Sequence, residues 1–236
     1  MMTEAERAHY CDVGWAIPKG VLLPDRLIGP VRQAARAVTQ RARWQEMLSG
    51  IHNPFGHHAC VAQAWQFLDI GESEFVLDLV ETVLGPDIVF WDSELYHDLS
   101  AFHAEEIEWW PADPLAGTIV LASMERGDLV LIDIRRLREV LPQLPETPGV
   151  HYALRYMPAT SHFNRDPRFA SNRRATAARV LVDYTARPIW LVRGEDRVGN
   201  DFATGFAMPP PQWAGVAGSQ GKAGDPGSLG TDKKER

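Results

Sequence analysis

The residues best placed to do chemistry lie in residues 84–111, LGPDIVFWDSELYHDLSAFHAEEIEWWP. A strand-like run, residues 87–91, leads to His103 and Glu105, followed by Trp109, Trp110 and Pro111. Side chains two apart on a strand share a face. His103 and Glu105 can therefore present an imidazole and a carboxylate together, two thirds of the 2-His-1-carboxylate set that holds non-haem iron(II). The acidic run Glu105, Glu106, Glu108 also reads as a solvated edge, and both readings stay open. His97 and Asp98 lie close enough in sequence to join His103 and Glu105 in a different site, such as zinc with N and O ligands.

Those residues need a scaffold, and the composition supplies one. The chain has 236 residues, 45% of them hydrophobic, which fits one domain with a sizeable core. A net charge of −7 and a pI of about 5.6 argue against a general nucleic-acid binder. Two cysteines, Cys11 and Cys60, fit neither a disulfide framework nor a zinc pattern. The start, MMTEAERAHY, carries acids where a signal peptide needs an apolar stretch, and no apolar run approaches the ~20 residues of a membrane span. A cytoplasmic protein without a membrane segment is expected.

Residues 14–18 and 21–23 read as short strands around a Pro-Lys-Gly turn. Residues 31–47 have helix-forming composition and stop at Gly50. Residues 59–68, with Val61, Trp65 and Leu68 at helical spacing, and residues 73–84, ended by Gly85-Pro86, read as two more helices. Short β-rich runs then follow at 87–91, 117–122, 128–132, 152–156, 180–184 and 189–192. Residues 135–141 are either a short helix or a strand. Helices first and strands afterwards predict an α+β chain with a mainly antiparallel β-domain over residues 1–208. The Pro-, Gly- and Ser-rich residues 209–236 are expected to be a disordered tail.

Five segments, in order, resemble the phytanoyl-CoA dioxygenase family. They are residues 13–24 (VGWAIPKGVLLP), residues 80–91 (VETVLGPDIVFW), residues 103–111 in the place of the family's "wHqD...yWp", residues 155–158 (RYMP), and residues 191–202 (LVRGEDRVGNDF). The resemblance implies a double-stranded β-helix (jelly roll) core with N-terminal helices packed outside, and Fe(II) and 2-oxoglutarate as cofactors. His103 and Glu105 are the match to the first two metal ligands, with Glu where the family has Asp. An ungapped count back from Trp110-Pro111 puts Ala104 and Glu106 in those slots instead.

Two registers compete for the third ligand. One takes residues 127–138 as the strand leading to the distal histidine, keeps both flanking strands aligned, and puts Arg138 in the slot, where a guanidinium cannot bind a metal. The other makes the distal ligand His162, with Arg173 or Arg174 11 or 12 residues on as the bidentate clamp for a 2-oxoglutarate carboxylate. The first function expected is thus an iron(II)/2-oxoglutarate-dependent hydroxylase of a small organic substrate. The metal would sit on His103, Glu105 and His162, and 2-oxoglutarate on Arg173 or Arg174. The alternative is a catalytically degenerate relative that has lost the iron and binds a small molecule or a partner. No CoA-binding signature is visible.

Other polar residues have plain structural readings. His57 and His58 precede a helix, and His151 starts a strand. Arg193, Glu195, Asp196 and Arg197 suit a salt-bridged corner, and residues 200–202 a structural closure. Trp109 and Trp110 suit either a pocket wall or the core.

Overall fold

Thr3 opens the first helix. Its hydroxyl accepts a hydrogen bond from the Glu6 amide at 3.2 Å, and the Glu6 carboxylate takes one from the Thr3 amide at 2.8 Å, the reciprocal capping box that satisfies two orphan donors. Helix α1 (Glu4–Val13) ends at Gly14, in the left-handed conformation with φ 89°, where a residue without a Cβ is favoured. This helix was not among the expected elements, although its signals, Thr-x-x-Glu and a closing glycine, stand in the sequence. The computed structural model describes residues 1–43, 45–55, 63–100, 102, 117–145, 147–170, 172–173 and 185–206.

Three further helices precede the sheet. Helix α2 (Asp25–Arg41) contains Pro30, so the expected start at residue 31 was six residues late. A proline removes one intrahelical bond, and burial of Ile28, Val31 and Ala35 on one face offsets that loss. The expected end at residue 47 was also too late, because the chain leaves the helix at Ala42 and makes a separate 3-10 turn (Gln45–Leu48). Helix α3 (Ala64–Glu72) covers the described end of the expected helix and runs on past residue 68; residues 59–62 lie outside the described residues. Helix α4 (Glu74–Leu84) is capped by Ser73, whose hydroxyl accepts from the Val76 amide, and stops at Gly85, as expected.

The strands are β1 (Trp15–Ala16), β2 (Ile88–Tyr96), β3 (Thr118–Ser123), β4 (Leu129–Asp133), β5 (His151–Pro158) and β6 (Trp190–Arg193). They form one sheet in the order β1-β4-β3-β5-β2-β6, every pairing antiparallel. Of residues 21–23, only Leu22 makes a bridge, to Asp128. The expected strand at 180–184 and the tail at 209–236 lie outside the described residues. Residues 134–143 resolve the ambiguity at 135–141 as two 3-10 turns around the short helix α5 (Leu137–Val140). The α+β class is thus observed. The described residues contain one sheet, and they do not by themselves close a jelly roll.

The four long helices cover one face of the sheet. Phe67, Ile70, Leu77 and Val80 pack there on Phe90, Val120, Leu154 and Tyr156. Tyr152 and Tyr156 send their hydroxyls to the α3 carbonyls of Phe67 and Gly71, at 3.2 and 2.9 Å. Burial pushes both phenols above their usual pKa, so they remain donors. The opposite, inner face carries a second cluster, including Val89, Trp91, Ile119, Leu121, Ala153 and Met157, covered by Leu99, Phe102, Phe163 and residues of 134–144. Among the described residues no helix is long and apolar enough to cross a membrane.

Candidate functional site

Strand β2 runs five residues further than the sequence suggested. Asp92, Ser93 and Glu94 lie beyond the expected run of 87–91, yet all three belong to the strand and are buried. What makes this possible is a pair of arginines. The Asp92 carboxylate lies 3.3 Å from Arg155 and 2.6 Å from Arg187. Glu94 lies 3.2 Å from Arg155 and accepts from the Tyr96 hydroxyl at 3.0 Å. Arg155 also donates to the Tyr96 oxygen at 2.8 Å. Two carboxylates and two guanidiniums at bonding distance compensate charges that would each be costly alone in the interior.

The register lays these groups out in rows across the inner face. Asp92, Arg155 and Ile119 form one row; Glu94, Ala153 and Leu121 the next; Tyr96, His151 and Ser123 the last. Beyond the last rows opens a cavity of about 370 Å³. Leu99, Leu121, Val130 and Leu144 give it apolar walls; Ser123, Thr147 and His151 are polar; Arg126 and Asp128 also line it. Arg126 and Asp128 pair with each other at 2.7 Å. His151 is 2% exposed, and burial pulls its imidazole below the usual pKa of 6.5, with Arg126 adding to that and Asp98 and a contact with the Gly149 backbone opposing it. One of its nitrogens, Nε2, shares a hydrogen bond with the Thr147 hydroxyl at 2.8 Å; Nδ1 has no well-aligned partner among the described residues.

Of the expected metal ligands and clamp residues, His162 and Arg173 are described. His103, Glu105 and Arg174 lie outside the described residues, as do His57, His58, Trp109 and Trp110. Phe102, the residue before His103, packs its ring edge-on to Tyr96 with centroids 5.2 Å apart, at the cavity end of β2. His162 is exposed and follows the turn that ends β5. There the Ala159 amide bonds the Asp87 carbonyl at 2.9 Å, and Phe163 stacks on Trp91 at 5.9 Å, so His162 sits toward the other end of β2. Its ring has no hydrogen bond or ion pair among the described residues, and neither has the exposed Arg173 guanidinium. Arg138 is exposed on α5, between the buried Leu137 and Val140, and so faces solvent rather than the inner face. His97 and Asp98 are exposed as well. Among the described residues no three His, Cys, Asp or Glu side chains form a group that could hold a metal.

The structural readings of the remaining polar residues agree with their contacts. Arg193 bridges to Glu74, Asp78 and Glu81 of α4, and Arg197 to Asp87 at 2.8 Å. Asn200 ties the chain closed, accepting from the Phe163 amide at 2.8 Å and donating to the Ser161 carbonyl at 3.1 Å. Asp92, Glu94, Arg155 and Arg187 were not singled out as a site in the sequence. The signal that could have found them is the acid-x-acid spacing inside a strand otherwise made of Ile, Val, Phe, Trp and Tyr.

No protein-family model and no curated protein sequence matches the chain. Solved structures do. CytC3 superposes with a TM-score of 0.52 and 13% identity, over 89% of this chain and 98% of CytC3. CytC3 with Fe(II) and alpha-ketoglutarate gives 0.51 and 13% over the same shares. A nickel complex of the non-heme monooxygenase ThoJ is similar more loosely, at 0.45 and 12% over 86% and 87%. The likeness to CytC3 establishes a shared fold along nearly the whole of both chains.

Proposed function

We propose that this chain is an iron(II)/2-oxoglutarate-dependent hydroxylase of a small organic substrate, similar to the phytanoyl-CoA dioxygenases. The observation that carries this reading is the fold shared with CytC3, which binds Fe(II) and alpha-ketoglutarate. The donor types fit the metal: His103, Glu105 and His162 would be the ligands, and the exposed His162 ring is not engaged by any described residue. Arg173 or Arg174 would grip the 2-oxoglutarate carboxylate through two parallel hydrogen bonds. When bound, the iron would supply the oxidation of an unactivated C–H bond. The protein's part is to orient the substrate against the inner face and to exclude water through the apolar walls of Leu99, Leu121 and Leu144.

A second reading is that the fold is retained, the iron centre lost and the interior kept for small-molecule binding. One specific observation favours it. Phe102, which leads into His103, packs at the Tyr96 end of β2, whereas His162 leaves the sheet beyond the Asp87 end. Tyr96 and Trp91, the strand residues that Phe102 and Phe163 pack against, are five residues apart, or roughly 16 Å along an extended strand. A fold by itself does not carry an activity.

Anaerobic titration of the full chain with Fe(II) and 2-oxoglutarate separates the two. The hydroxylase reading expects a saturable visible charge-transfer band, abolished in both His103→Ala and His162→Ala. A folded protein that shows no band with both components in excess is the degenerate form. A band lost only in His103→Ala removes His162 from the ligand set.

A further inference from the structure

The cavity at the His151 end of the inner face has the features of a binding site that needs no metal. Its volume of about 370 Å³ falls within the roughly 300–1,000 Å³ of small-molecule sites. Its walls are mostly apolar side chains from separate parts of the fold: Leu99 after β2, Leu121 on β3, Val130 on β4 and Leu144 after α5. The polar groups are few and converge from β3, β5 and the segment between α5 and β5, as Ser123, His151 and Thr147. Such a surface, apolar with a few placed polar atoms, orients one ligand group and desolvates the rest.

The charge balance narrows the ligand. Among the described lining residues the one cation besides His151 is Arg126, already paired with Asp128 at 2.7 Å, so it is a poor holder of a further carboxylate or phosphate. An anion would have to give up its hydration without a compensating partner, which is strongly unfavourable. His151 supplies the recognition element. Its Nε2 is taken by Thr147 at 2.8 Å, while Nδ1 is buried with no well-aligned partner among the described residues, the Gly149 backbone being its nearest polar neighbour. A poorly paired buried polar atom is destabilising, and a ligand hydroxyl or carbonyl that satisfies the imidazole, directly or by re-pairing Thr147, relieves that. Ser123 has its oxygen engaged by the Arg126 amide at 3.3 Å, and its hydroxyl proton remains to be donated.

We propose that this cavity binds a small neutral molecule with an apolar body and one hydrogen-bonding oxygen, an alcohol, ketone or amide, held at its polar end by His151, Thr147 and Ser123. Its described lining includes no expected metal ligand, and the proposal rests on neither reading of the iron chemistry.

The test is NMR titration of the full chain, ¹⁵N-labelled at histidine and kept in EDTA, with 2-phenylethanol as the neutral probe and phenylacetate as its anionic counterpart. His151 is assigned by loss of its signal in His151→Gln. The expected result is a saturable shift of the His151 ring nitrogens with 2-phenylethanol and none with phenylacetate. Leu121→Trp and Leu144→Phe, which fill the cavity from the sheet and from its cover, should each weaken binding by about tenfold or more. If one fails to fold, the other serves alone. The proposal is overturned if the His151 signals do not respond to 2-phenylethanol, if phenylacetate binds as well, or if a folded cavity-filling variant binds like wild type. EDTA keeps these outcomes separate from the Fe(II) titration.

Discussion

Asp92 and Arg155 meet across β2 and β5 because β2 carries one extra residue beside them. Phe90 pairs with Tyr156, and Asp92, not Trp91, pairs with Arg155. This bulge lets both Trp91 and Asp92 face inward, and it resets the alternation so that Glu94 and Tyr96 follow on the same face. Without it, the strand's second half would turn its carboxylates toward the helices and their apolar side chains.

Removing one partner from that network leaves the others buried and uncompensated. Arg155→Met is expected to destabilise the protein by about 3–5 kcal/mol, read from urea denaturation midpoints at constant slope. Adding Asp92→Leu and Glu94→Leu to Arg155→Met should recover much of the loss, as buried charges give way to packed apolar groups. A loss below about 1 kcal/mol for Arg155→Met would mean that the network is wet and weak.

The helical cover is held by a close approach at Gly71. A Cβ there would lie 2.6 Å from the Phe90 ring, so Gly71→Ala is expected to cost about 1–3 kcal/mol through overpacking. Tyr156→Phe removes the hydrogen bond to the Gly71 carbonyl and should cost about 1 kcal/mol. The two touch one another, so the double variant should depart from additivity. Additive losses would show that α3 shifts freely over the sheet.

His151 gives stability a dependence on pH. Its folded pKa is lowered, chiefly by burial, so the unfolded chain binds the extra proton first. Its contribution is then full above the unfolded value near 6.5 and is lost as pH falls toward the folded one. Melting temperature should therefore begin to drop below about pH 6.5 in wild type, and His151→Gln should flatten that step. The lowered carboxylates Asp87, Glu125 and Asp201, the last near 2, act in a separate window below pH 4. An unchanged profile in His151→Gln would assign the step to other groups.

The first helix rests on its cap. Thr3→Ala removes the hydroxyl that accepts from the Glu6 amide and should cost about 1 kcal/mol. Hydrogen exchange of the α1 amides would show the loss as local fraying; equal protection in both proteins would mean that Tyr10, packed inside, holds the helix without its cap.

The sequence by itself determined the order of elements. Apolar residues and the Gly85-Pro86 stop marked α4, short β-rich runs marked β3, β4 and β5, and helices before strands meant α+β, because these signals are local to each element. It also marked residues that could bind a metal by type and spacing. Only the tertiary structure decided that Asp92 and Glu94 belong inside a strand, since their burial depends on Arg155 and Arg187, which lie 61 to 95 residues away in the chain. Only it decided that Arg138 faces solvent, and that His151, a strand-start residue by sequence, closes a cavity. A pattern along the chain sets which face a side chain takes; which charges and walls it meets there is set by residues brought from elsewhere.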